Sequence, residues 1–418
     1  SLPLVKGTLD IHDGAARIEK LDVPFENING RLNFGLNQLS WANLGFRYLG
    51  ADYKSSGSLT NFQSPEVQLN LTSKDLVLDS LFAFDKKLIQ LSKIKGKYFN
   101  YNFLVSGQIN TMDLAKASVD LDLGLDLELS DLVKVLKNSQ SQLAKINPQG
   151  VIHADSNIKG NILDLKSCDI TAKLVSGSLF AYGLKAQDAF MNFNQENGIA
   201  EIGSLHLNFY DGTIDAAGKI NLTSEKFPYW LNFDIQGVKI EKLKNDTPLK
   251  DANISGAIQA QAKINGFSND LSLLSGTGKI IITEGNLWEL NLFKGLGSLL
   301  FTNDFTRITF SEGFCGFEIK DKYFSTESLK LKSNLVDISG SARIGFDGSI
   351  DATLNAAVAD VIPLGGSLKD ITTAILGQAG KFGVIKITGT LSNPKHKFQP
   401  AVADIVKGIV DIFFKKKQ

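Results

Sequence analysis

Val119-Asp120-Leu121-Asp122-Leu123-Gly124-Leu125-Asp126-Leu127-Glu128-Leu129 alternates without a break between apolar positions and acidic or glycine positions. Side chains alternate across a strand, so this segment has one greasy face and one acidic, wet face. At about 3.3 Å per residue it spans roughly 36 Å, long beside the usual strand of about 5–6 residues. The acidic row Asp120, Asp122, Asp126 and Glu128 repeats about every 7 Å along one face and lacks the oxygen-rich loop that calcium prefers. It reads as a solvated outer face that discourages edge-to-edge aggregation.

The same alternation recurs at Val67–Leu71, Leu205–Phe209, Tyr229–Ile235 and Leu329–Lys332. Between such runs lie Asp13-Gly14, Asn197-Gly198, Asp211-Gly212, Asn265-Gly266, Glu284-Gly285 and Asp347-Gly348, dipeptides that favour tight hairpin turns. A two-strand unit ending in a small-residue–Gly step repeats three times: Leu44 to Gly57, Leu205 to Gly218 and Leu329 to Gly340. A simpler strand step with a central glycine recurs at Gly107, Gly160, Gly256 and Gly389. The chain reads as an antiparallel meander of long hairpins, each polar on one side.

Composition agrees. Of 418 residues, 43% are apolar, enough for a large core and too many for a disordered chain. Lys plus Arg equals Asp plus Glu at 44 each, which argues against a nucleic-acid partner. Phe supplies 27 aromatic residues against 8 Tyr and 3 Trp, a bias toward dry surface. Cys168 and Cys315 exclude a disulfide scaffold, and the reading favours two free thiols. No run of about 18 apolar residues marks a membrane-crossing helix.

Helical spacing is confined to a few stretches: Leu129–Ile146, with Ser130 or Asp131 as its N-cap, Leu76–Leu91, Leu287–Phe301 and Ser367–Ala379. In Ala401–Phe414 the polar residues Asp404, Lys407, Gly408 and Asp411 form one narrow stripe. A helix there is apolar over most of its circumference. Ile405, Ile409, Ile412, Phe413 and Phe414, followed by Lys415, Lys416 and Lys417, make it a candidate membrane contact, with capping of the open end of the sheet as the alternative.

No catalytic constellation is legible. The phosphate loops, the nucleophile elbow and the paired-histidine zinc motif are all missing. His12, His153, His206 and His396 are dispersed, His206 on the polar side of a strand and His396 in the basic turn Pro394–Lys397. No cofactor, no metal and no enzymatic activity are expected.

The signal is therefore architectural. An antiparallel sheet with one apolar face must cover it, by closing, by stacking or with helices. Helices are too few here for strands of this number and length. An open, curled trough lined by Leu, Ile, Val and Phe would accept acyl chains, each buried CH2 returning about 0.8 kcal/mol. The expected lining residues are Val119, Leu121, Leu123, Leu125, Leu127, Leu205, Leu207, Phe209, Leu231, Phe233, Leu329 and Leu331.

From Gln149 to Asn221 the chain resembles the C-terminal region of AsmA-like envelope proteins. The resemblance is carried by Gly177–Leu184, Phe193–Ile199, Ile202–Leu207 and Tyr210–Gly218. It continues through Gly276–Leu287 and Phe317–Gly340 and closes at Ile387–Pro394, covering residues 148–400 with a looser echo over 1–128. The resemblance implies an elongated, taco-like β-groove in the periplasm of a diderm bacterium. It also implies inner-membrane anchoring through a segment absent from this chain, and phospholipid transfer between inner and outer membranes. The expected organisation is a β-groove segment over 1–147, an AsmA-like region over 148–400 and a C-terminal helix with its Lys tail over 401–418. The expected partners are phospholipid acyl chains and a membrane or outer-membrane protein at one end. Two other classes remain open: an assembly factor for outer-membrane biogenesis acting by β-strand addition, and a polysaccharide-binding repeat, which three Trp disfavour.

Overall fold

The computed structural model describes residues 6–17, 23–85, 87–110, 118–131, 146–161, 163–267, 270–286, 310–333, 336–358 and 381–400. The fold is mainly β and antiparallel with few helices, as expected; twenty-three strands belong to one sheet that is not closed into a barrel. The chain forms two compact units, Ser1–Leu179 with Ala189–Gly203, and Phe180–Asp188 with Ser204–Gln418.

The first run is β1 (Gly7–Ala16), β2 (Phe25–Phe34), β3 (Gln38–Tyr48), β4 (Ala51–Thr60), β5 (Glu66–Thr72), β6 (Leu76–Asp85), β7 (Leu88–Tyr98), β8 (Tyr101–Asn110), β9 (Ser118–Glu128), β10 (Val151–Asn161) and β11 (Asp169–Ala181). Each strand pairs antiparallel with the next. β9 and β10 pair along their full length, Ser118 with Asn161 to Glu128 with Val151, on either side of residue 147. β12 (Leu184–Glu196) and β13 (Ile199–Phe209) follow.

The second run is β14 (Gly212–Asn221), β15 (Pro228–Lys239), β16 (Ser255–Phe267), β17 (Asp270–Asn286), β18 (Phe310–Lys320), β19 (Tyr323–Ser333), β20 (Val336–Gly345), β21 (Ser349–Val358), β22 (Lys381–Thr390) and β23 (Asn393–Pro400). It too is consecutive and antiparallel. Its core gathers Phe310, Leu331, Ile338, Ile350, Leu354, Ile385 and Ile387, with Ile240 and Ile254 from the β15–β16 connection.

Local chemistry accounts for the hairpins. Asn197 and Gly198 take φ of 51° and 72° between β12 and β13, the left-handed pair that matches strand twist. The repeated units Leu44–Gly57, Leu205–Gly218 and Leu329–Gly340 are the β3–β4, β13–β14 and β19–β20 hairpins. The first two, equal in length, share two left-handed residues at the turn, Leu49-Gly50 and Tyr210-Asp211. Three expected turns lie inside strands instead: Asp13-Gly14 in β1, Glu284-Gly285 in β17 and Asn265-Gly266 in β16, each at or beside a break in register. A bulge draws on the same flexible residues as a turn, so the dipeptide alone does not separate them. The glycine step is such a device: Gly107 and Gly160 both have φ of 126°, where a side chain is not tolerated.

Leu76–Leu91 is not helical. It is β6 and the start of β7, with Leu76, Leu78 and Phe82 half-buried, Ser80 buried, and Val77, Asp79 and Leu81 exposed. β5 and β8 need partners for their backbone groups, and that demand overrides helical spacing. Leu129–Asp131 and Ile146 are helical, with the helix starting at Leu129 and not after a Ser130 or Asp131 cap. Residues 132–145 of that stretch, Leu287–Phe301, Ser367–Ala379 and the whole of 401–418, with the expected membrane-contact residues, lie outside the described residues. His396 sits within strand β23, opposite Ile387, and not in a turn. No helix among the described residues is long and apolar enough to cross a membrane.

Candidate functional site: an apolar face across eleven strands

In β9, Val119 is buried and Leu121, Leu123, Leu125 and Leu127 are half-buried, all on one side. Register carries that side across the whole first run. Directly opposed residues step Leu9–Leu32–Trp41–Gly57 over β1–β4. The line continues as Leu69–Ser80–Ile94–Val105 over β5–β8 and ends as Leu123–Ser156–Ala172 over β9–β11. Strands lie about 4.8 Å apart, so the line measures roughly 48 Å along the sheet. Flanking lines run from Leu39 through Leu121 to Ile170, and from Leu44 through Leu125 to Leu174.

The breaks in this line are chemically silent. The Trp41 ring lies over Gly57, where an added Cβ would come within 2.7 Å of Cζ2. Its Nε1 donates to Ser55 Oγ at 2.7 Å. Ser80 Oγ donates to the Leu69 carbonyl at 3.0 Å and Ser156 Oγ to the Leu123 carbonyl at 3.3 Å. These two hydroxyls are satisfied by backbone carbonyls, so the line itself presents no free polar demand.

The opposite face is polar, as the acidic row predicts, but its carboxylates are hydrogen-bonded across strands. Asp120 accepts from Asn157 at 3.2 Å and pairs with Lys159 at 3.2 Å. Asp126 accepts from Asn102 at 3.0 Å and lies 2.6 Å from His153 Nδ1. Asn102 first, then His153, holds the Asp126 carboxyl below its ordinary value. Two open depressions of about 460 Å³ each lie on this face, around Gly124 and around Gly45. Asp122, Asp155, Asn157 and Lys173 line the former together with Leu104 and Phe193.

In the second unit, Leu205, Leu207 and Phe209 are half-buried while His206 and Asn208 between them are exposed. Leu231 sits between Gly218 and Ile264, and Phe233 between Ala216 and Ala262, all partly or fully buried. Leu331, at 5% exposure, belongs to the filled core and Leu329 packs against it. Those two side chains fill space rather than line it. Cys168 and Cys315 are both free; burial pushes both thiols up, and Cys168 Sγ donates to the Asn161 carbonyl at 3.2 Å.

Sequence reasoning missed most of the line, including Trp41, Ile94 and Val105. The signal was there as alternation, but Gly57, Ser80 and Ser156 interrupt it. No family model, no curated protein and no solved structure matches this chain.

Proposed function

We propose that the chain is a non-enzymatic lipid-binding protein whose apolar β1–β11 face shields phospholipid acyl chains. The observation that carries this is the mainly apolar line from Leu9 to Ala172, in which the Ser80 and Ser156 hydroxyls are bonded to backbone carbonyls. A contiguous apolar surface of this extent marks a binding site more often than a bare exterior. Head groups stay in water while the tails follow the line. With the AsmA-like resemblance, the proposal extends to phospholipid transfer between the inner and outer membranes of a diderm envelope.

Strand addition finds less support at β23. Pro394 and Pro400 lack N–H donors, and Lys395 and Lys397 are exposed beside them, features that blunt an edge.

The test is mass spectrometry of organic extracts from purified protein, with Leu123→Asp and Leu207→Asp beside the parent. The parent carries phospholipid, and Leu123→Asp retains at most about a tenth of it with its β circular-dichroism signal intact. Equal retention in all three proteins, or no lipid in the parent, removes the proposal.

A further inference from the structure

Strand β7 ends in Lys93-Ile94-Lys95-Gly96-Lys97-Tyr98, and its turn into β8 is Phe99-Asn100. Ile94 and Gly96 face the apolar side, so Lys93, Lys95 and Lys97 stand exposed on the opposite one. Among the described residues none of these lysines has a carboxylate within ion-pair distance. Their cross-strand neighbours are unusual for a polar face. Lys97 opposes Val77, Lys93 opposes Leu81, and Lys95 opposes Asp79 on β6 and Leu104 on β8. Val77, Leu81 and Leu104 are 55%, 46% and 46% exposed.

The hairpin tip continues the pattern. Tyr98 and Phe99 are 49% and 53% exposed, with ring centroids 4.6 Å apart, edge to face. Phe99 has φ of 51°, a left-handed conformation that favours Asn or Gly and is unfavourable for a bulky ring. The ring therefore sits at a strained backbone position with half its surface in water.

We propose that the β7–β8 hairpin and the adjoining outer face of β6–β8 dock on an anionic lipid bilayer. Charge and polarity select this occupant together. Three unpaired lysines match an anionic surface, each contributing through proximity to it. The aromatic tip fits the headgroup boundary, and lysine stems lie along apolar surface while their ammonium groups reach phosphates. Exposed Val77, Leu81 and Leu104 gain from contact with a bilayer and gain little from a soluble polyanion. Lys93, Lys95, Lys97, Val77, Leu81 and Leu104 lie on the side of these strands opposite the acyl-chain face.

The experiment is co-sedimentation of the full chain with vesicles of phosphatidylglycerol and phosphatidylcholine, and of phosphatidylcholine alone. The parent binds the anionic vesicles at least tenfold more tightly than the neutral ones, and added salt weakens it. The triple variant Lys93→Gln/Lys95→Gln/Lys97→Gln binds anionic vesicles at least tenfold more weakly. Phe99→Asn, which suits the left-handed backbone and so preserves the hairpin, loses at least threefold. Parent-like binding by the triple variant overturns the proposal, as does failure of the parent to bind. Equal affinity of Phe99→Asn and the parent, with binding displaced by soluble polyglutamate, identifies a polyanion site and also overturns it. The triple variant keeps its co-extracted lipid whereas Leu123→Asp loses it, so failure here and failure of the acyl-chain proposal are distinguishable.

Discussion

β18–β23 and β1–β11 are both antiparallel runs with one apolar face, but that face meets different surroundings. In the C-terminal run Ile385 and Ile387 are fully buried, and Ile240 and Ile254 from the β15–β16 connection join the same core. In the N-terminal run, Leu121, Leu123, Leu125 and Leu127 remain half-buried, and the buried apolar residues on the strand faces, Val67, Leu91 and Val119, keep 5–8% exposure and are scattered over three strands. Alternation tells which face is apolar; the long connections and the residues they deliver determine whether that face is filled.

The contrast is open to direct challenge. The largest effect is expected from truncation in the filled core. Ile387→Ala destabilises by about 2–5 kcal/mol through lost burial and a residual cavity. Leu123→Ala, at a half-buried position, costs roughly 1 kcal/mol or less in lipid-free protein. Urea denaturation of both variants checks this, and equal costs would erase the difference between the runs.

Lipid should act on one run only. At a lipid concentration about one hundred times Kd, binding stabilises by about 2.7 kcal/mol. Hydrogen exchange of delipidated protein should therefore slow in β1–β11 on adding phospholipid and stay unchanged in β18–β23. Slowing confined to β18–β23 places the ligand in the wrong run.

The smallest effect concerns the polar face that opposes the apolar one. Asp126 is lowered by Asn102 and His153, and Asp120 by Asn157 and Lys159. A carboxylate with a lowered folded-state pKa contributes stability above its ordinary value of 3.8, lost as pH falls below that value through the folded one. Melting temperature should drop over that acid range, slightly less for Asp126→Asn than for the parent. Both groups are solvent-accessible, so the difference is small.

Much of the fold was legible residue by residue. β9 was readable from its leucines, and the β3–β4 and β13–β14 hairpins from their matched spacing. β6 was misread because Leu78, Leu81, Phe82 and Ile89 also suit helical spacing, and a segment does not reveal which strands flank it. Asp13-Gly14 and Glu284-Gly285 were misread as turns because a bulge requires the same backbone freedom. Of the apolar face, the β9 segment was clear, but the Trp41–Gly57 and Ser80 positions were not. A glycine covered by a ring, or a serine bonded to the next strand's carbonyl, counts as apolar only once register is known.

Alternation within each strand is a local property with a period of two residues, so the chain on its own determined that each strand would carry a wet side and a greasy side. Which greasy residues stand opposite one another, and whether a connection delivers side chains to bury them, depend on contacts between residues distant in sequence. Only tertiary structure decided that Ile387 would be sealed in a core and that Leu123 would stay half-buried on an apolar line, because burial is a property of neighbours and not of the residue itself.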